Sequence, residues 1–145
     1  MPAQDIVGAA VIAGIFMYLT SELGFRMGLS KSNLALIDGE FAIRSIRMQS
    51  NKLLAYLFGI PIHLFTSAIF GVVYFGIIKG LDLDAPSAQA IAPYVFCLYL
   101  AMLFNALPIA GQGILGRKIG RSTWVEQLVY HAVFGIGFWW ALDVI

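Results

Sequence analysis

The chain has 145 residues, 60% of them hydrophobic and 12% charged, with a formal net charge of +1 and a mean hydropathy of +0.85. A soluble domain carries about a quarter charged residues, so this composition points to an integral membrane protein with little room for a soluble catalytic domain. The net charge of +1 is uninformative as a sum and lends no support to nucleic-acid binding, and the single cysteine, Cys97, excludes an internal disulfide, a paired-cysteine metal site and c-type haem attachment.

The first predicted helix covers residues 6–28. The opening MPAQD lacks the positive charge of a secretory signal, and the small-residue cleavage site is missing too, so the helix is expected to be retained. Ala10 and Gly14 form a small-xxx-small pair for close helix approach, extended by Gly8 and Ala13. Glu22 lies four residues before Arg26, the spacing of an interfacial ion pair. Residues 33–50 mix charges with Leu34, Ile37 and Phe41 at helical spacing, while Arg44, Arg47 and Asn51 share another face. They read as an amphipathic segment in the membrane surface, broken near Asp38-Gly39 and resuming where Glu40 and Arg44 stand at i,i+4.

The second predicted helix, residues 53–78, carries no charge and holds His63 well inside, with Pro61 as a place to bend. About 26 residues rise roughly 39 Å, more than the ~30 Å hydrocarbon core. A short acidic loop with Asp82, Asp84 and Pro86 leads to the third helix, residues 91–112, which Pro108 should bend or end; Asn105 one turn earlier is a polar group at membrane depth. Cys97, within this apolar run, reads as a small packing residue. The glycines of GQGILG match part of a dinucleotide fingerprint, but they follow a membrane helix rather than a strand. The fourth helix, residues 124–144, opens at Trp124 and ends with Trp139-Trp140, suited to an aromatic belt.

Lysines and arginines cluster in the first and third links and are scarce in the second, so the positive-inside tendency places links one and three in the cytoplasm and both termini outside. HLFTSAIFGVVYF, from His63, sets against QLVYHAVFGIGFW, from Gln127, with Leu64, Phe70 and Gly71 matched by Leu128, Phe134 and Gly135. The predicted architecture is an all-α integral membrane four-helix bundle of two parallel-repeat helical hairpins, N-out and C-out, in a single domain.

Four stretches carry a resemblance: MGLSKSNLALIDG after helix 1, GIPIHLFTSAIFGVVYFGI in helix 2, LPIAGQGILG after helix 3 and YHAVFGIGFWWAL in helix 4. Together they resemble a group of small four-helix bacterial membrane proteins classed as domains of unknown function. The resemblance implies the same fold and topology and a recurring histidine in each of helices 2 and 4, matched by His63 and His131. It carries no activity.

The two histidines fall in the same half of the bilayer, His63 about 15 Å from the start of its helix and His131 about 10 Å from the start of its own, so they can face each other. The simplest expectation is a neutral, hydrogen-bonded pair. As cofactor ligands they would take a haem b; a non-haem metal would need Glu22 or Glu126 beside them. Gln127 shares a face with His131. No catalytic constellation is evident, and the reading leans away from an enzyme.

The small residues Ala10, Gly14, Ser67, Gly71 and Gly135 make the leading functional expectation a helix-packing protein. It would act as an accessory subunit of a larger membrane complex or as a homo-oligomer, in contact with the lipid bilayer of a prokaryotic cytoplasmic membrane. The alternatives are a bis-histidine haem or quinone-associated electron-transfer protein, and a small transporter or channel with Glu22 or Asn105 facing a polar cavity.

Overall fold

A computed structural model describes residues 1–49, 51–83 and 87–145; Ser50 of the predicted surface segment and Asp84 and Pro86 of the acidic loop lie outside the described residues. The described residues form helices and no strand. The helices are α1 (Ala3–Arg26), α2 (Leu34–Ser45), α3 (Lys52–Gly80), α4 (Ala88–Ile109) and α5 (Thr123–Val144). By length and composition α1, α3 and α4 are apolar enough to cross a membrane. α5 falls outside that set because it carries Glu126, Gln127, His131 and Asp143.

α1 is central, antiparallel to α3 on one side and to α5 on the other. Small residues bring α1 and α3 together: Gly14 faces Ser67, and Gly71 lies against the backbone of Ile6 and Val7 and the methyl of Ala10. A side chain at either glycine would collide with the neighbouring helix. α4 packs along α5, where Gly135 meets Val95, and Gly137 of α5 meets Ala13 and Phe16 of α1. The largest buried rings, Tyr74, Phe134 and Phe138, fill the space among α1, α3, α4 and α5, with Tyr74 in contact with both Tyr94 and Phe138. The outer surface is apolar as well, with Leu57, Phe65, Val72, Phe96, Ile136 and Trp140 exposed.

Two expectations are corrected. The predicted break at Asp38-Gly39 is absent: α2 runs unbroken from Leu34 to Ser45, started by Asn33, whose side chain accepts a hydrogen bond from the Leu36 amide at 3.1 Å. Gly39 serves close approach instead, since it lies on the backbone of Ala55 while Gly59 of α3 lies on the backbone of Ala35. The two helices touch main chain to main chain, antiparallel, which only residues without a Cβ permit. Cys97 does not pack inside; it is exposed on α4.

α3 stays helical through Pro61. In α4 the effect of Pro108 is felt one turn earlier, as a π-helical segment at Met102–Ala106 in which the Leu107 amide reaches back to the Met102 carbonyl. Pro108 has no N–H to donate, so the regular ladder cannot continue through this turn.

Gly59→Ala should be strongly destabilising, by about 1–3 kcal/mol or more, because its methyl meets the Ala35 carbonyl and neither backbone can yield cheaply. Gly76→Ala, with nothing nearby, should be neutral. Unfolding curves of both variants in detergent check the contrast.

Candidate functional site

The first polar cluster closes the basic end. Glu22, nearly buried on the last turns of α1, accepts from Arg26 Nε at 2.5 Å, from Asn33 Nδ2 at 2.6 Å and from the Tyr56 hydroxyl at 3.1 Å. The expected i,i+4 pair is therefore one part of a junction joining α1, the first link and α3. Glu126, in the first turn of α5, does the same from the other side. Its Oε2 accepts from the amides of Lys31 and Ser32 at 3.1 and 2.8 Å and from the Ser32 hydroxyl at 2.6 Å, and its Oε1 accepts from Ser122 at 2.9 Å. Tyr130 adds a bond to the Ser32 carbonyl. Gln112, in the third link, donates to Glu40 of α2 at 2.5 Å, and the Arg44 guanidinium lies against Gly111. Links one and three thus meet at one end of the molecule, and both carboxylates considered as metal ligands already hold donors there, Glu22 from side chains and Glu126 from backbone and side chains.

Deeper in, His63 of α3 ties three helices. Its Nε2 is 3.1 Å from the Gly14 carbonyl of α1 and its Nδ1 is 2.9 Å from Asp38 Oδ2 of α2. Side chains lean toward the N-terminus of their own helix, so on antiparallel α2 and α3 these two lean toward each other. A carbonyl can only accept, so Nε2 carries hydrogen. Nδ1 and Oδ2 then share one proton, as imidazolium and carboxylate or as imidazole and carboxylic acid. Either distribution leaves the pair with zero net charge, which suits an apolar interior.

His131 of α5 has the opposite arrangement. Its Nδ1 is 2.8 Å from the Gln127 carbonyl, so Nδ1 holds the hydrogen and Nε2 is left with a bare lone pair. Tyr99 of α4 meets this ring edge-on at 5.7 Å between centres.

Both histidines line one cavity of about 270 Å³ between α3 and α4. α3 and α4 meet toward the far end, where the Tyr94 hydroxyl donates to the Phe70 carbonyl at 2.6 Å, and part beyond it. Asp38 and Thr66 reach the same space, and so does Asn105 from the π-helical segment, its side chain exposed at the mouth. Ser67 also lines it, its hydroxyl donating to the His63 carbonyl at 2.8 Å, and the remaining lining is apolar, including Met17, Leu98, Met102 and Phe134. A second, apolar groove of about 340 Å³ lies between α4 and α5, and His131 stands in the wall of both.

The cavity therefore unites His63, His131 and Asn105, all three expected from the sequence, whereas Glu22 lies elsewhere. Ala10, Gly14, Ser67 and Gly71 pack α1 on α3, and Gly135 packs α5 on α4, all within the chain. Asp38 is a site residue that sequence reasoning misses; the available signal is a carboxylate, one of two with Glu40, inside the otherwise apolar run LALIDGEFAI. As a haem ligand His63 does not fit, since both ring nitrogens already have protein partners. Among the described residues no group of three or more His, Cys, Asp or Glu is placed to hold a metal ion. No family model, curated protein or solved structure matches the chain.

Asp38→Ala should cost about 1–3 kcal/mol, because His63 Nδ1 would remain buried without a partner. Asp38→Asn, able to donate to a neutral ring, should recover most of the loss. Equilibrium unfolding of the two variants tests this, and equal losses would contradict it.

Proposed function

We propose that the chain is an integral membrane protein of four spanning helices, α1, α3, α4 and α5, that holds a small lipid-soluble molecule between α3 and α4. The observation that carries this reading is the cavity with two buried imidazoles in its wall and an exposed amide at its mouth. A protein that acted by packing alone would have no use for it. The small residues that favoured packing against partners are engaged inside the chain, which weakens the accessory-subunit reading. Lipid surrounds the apolar outer wall, and a second copy or other membrane subunits would meet the protein there.

The membrane reading is supported by three apolar helices of spanning length and by the position of the polar residues of α5, where Gln127 and His131 are buried and Glu126 faces the first link. The exposed Trp139-Trp140 pair lies near the end of α5, a place suited to an interfacial belt. Eight of the nine lysines and arginines belong to links one and three or to the helix ends beside them, so we place that end in the cytoplasm and both termini outside. Gly71 faces α1 and Gly135 faces α4, each the partner within its own hairpin, in keeping with a duplicated hairpin to which α2 has been added.

Native mass spectrometry of protein released gently from its membrane should find a small molecule bound, and Ala106→Phe, which fills the cavity, should remove it while the protein stays folded. A wild-type protein that is always empty would contradict the proposal. Orientation is checked with Cys97→Ala as background. An impermeant maleimide applied to intact cells should label Gly80→Cys and leave Ser122→Cys untouched.

A further inference from the structure

Resting on the reading of the cavity as a binding site, we infer that its ligand is a hydroxylated ring of the hydroquinone class, held by its hydroxyl hydrogens. The cavity selects by the acceptors that His131 and Asp38 contribute, while its donors, the Thr66 hydroxyl and the Asn105 amide, belong to α3 and α4. His63 offers nothing, because Gly14 and Asp38 occupy both of its nitrogens. His131 offers an acceptor: with Nδ1 donating to Gln127, Nε2 presents a lone pair and has no partner among the described residues. Asp38 uses Oδ2 for His63, and Oδ1 remains a second acceptor. His131 and Asp38 line the cavity from two different helices, α5 and α2, in a lining that is mostly apolar.

A ligand that fits must be apolar in its middle and must donate at two separated points. It must also be small, since about 270 Å³ is below the range of pockets that enclose drug-sized molecules. A six-membered aromatic ring with hydroxyls at opposite positions meets all three conditions. Its substituents or tail would leave between α3 and α4 past Asn105, whose exposed amide can serve a ring oxygen or an ether. The matching quinone has the same shape and no donor. It would set carbonyl lone pairs against Nε2 and Oδ1, and a site whose buried polar groups go unpaired rejects such an analogue strongly. At His131 and Asp38 the site therefore favours the reduced over the oxidised form by hydrogen-bond polarity.

The test uses the full chain in lipid nanodiscs under anaerobic conditions, with tetramethylhydroquinone, its dimethyl ether and the corresponding quinone as probes. The hydroquinone should bind at least about tenfold more tightly than the ether or the quinone. His131→Phe should remove that preference, and His131→Gln, which supplies an acceptor oxygen, should restore part of it. Both variants should keep the wild-type unfolding midpoint to within a few degrees. Equal binding of the three probes, each displaced by Ala106→Phe, would overturn the hydroquinone assignment and leave the binding cavity standing. Failure of all three, with a different molecule found in the native protein, would do the same. Failure of all three with an empty native protein would overturn both.

Discussion

A histidine placed in the middle of an apolar helix has two nitrogens to satisfy, and its own helix supplies neither a spare donor nor a carboxylate. His63 finds its partners on two other helices, a carbonyl of α1 and a carboxylate of α2. This fixes the rotation of α3, holds α2 against it and brings Asp38 into the interior. The close approach that makes the bonds possible comes from glycines: Gly14 admits Ser67 beside the bond to its own carbonyl, and Gly39 and Gly59 let α2 and α3 meet main chain to main chain. Hydrogen bonding and small-residue packing are thus one device, and neither would hold without the other.

The cavity follows from the same constraint. α1 uses its small face on α3 and its opposite side on α5, so α4 is left to pack along α5 and to meet α3 toward the end that carries Tyr74 and Tyr94. Where α3 and α4 part, α4 changes to π-helical turns ahead of Pro108, and Asn105 comes to the mouth of the gap. At the basic end the two carboxylates Glu22 and Glu126 gather amide and hydroxyl donors from the first link, closing the side that faces the third. The result is an interior shut at one end by polar locks, filled at the other by aromatic rings, and open between two helices in the middle.

Much of this is legible in the amino-acid sequence. Uninterrupted apolar runs mark the helices, since length and lack of charge are local properties of the chain. The placement of His63 and His131 in the same half follows from helical rise, and both line one cavity. The role of α2 is not legible. Leu34, Ile37 and Phe41 at helical spacing fit a helix on a membrane surface and a helix against α3 equally well, and Gly39 can end a helix or let another one in. Asp38 is 25 residues from His63, and Glu126 is 94 from Ser32. Periodicity carries no information about partners that far apart. The small residues are recognisable as contact points, but their spacing does not say whether the other helix belongs to the same chain.

The account depends on two imidazoles fixed in opposite states, His63 giving its hydrogen through Nε2 and His131 through Nδ1. Nitrogen-15 magnetic resonance of histidine-labelled protein in lipid bilayers reads both directly. The account predicts one ring with a protonated Nε2 whose Nδ1 signal moves in Asp38→Asn, and a second ring with a protonated Nδ1 and a bare Nε2. A His131 ring protonated at Nε2, or a His63 spectrum indifferent to Asp38, would contradict it.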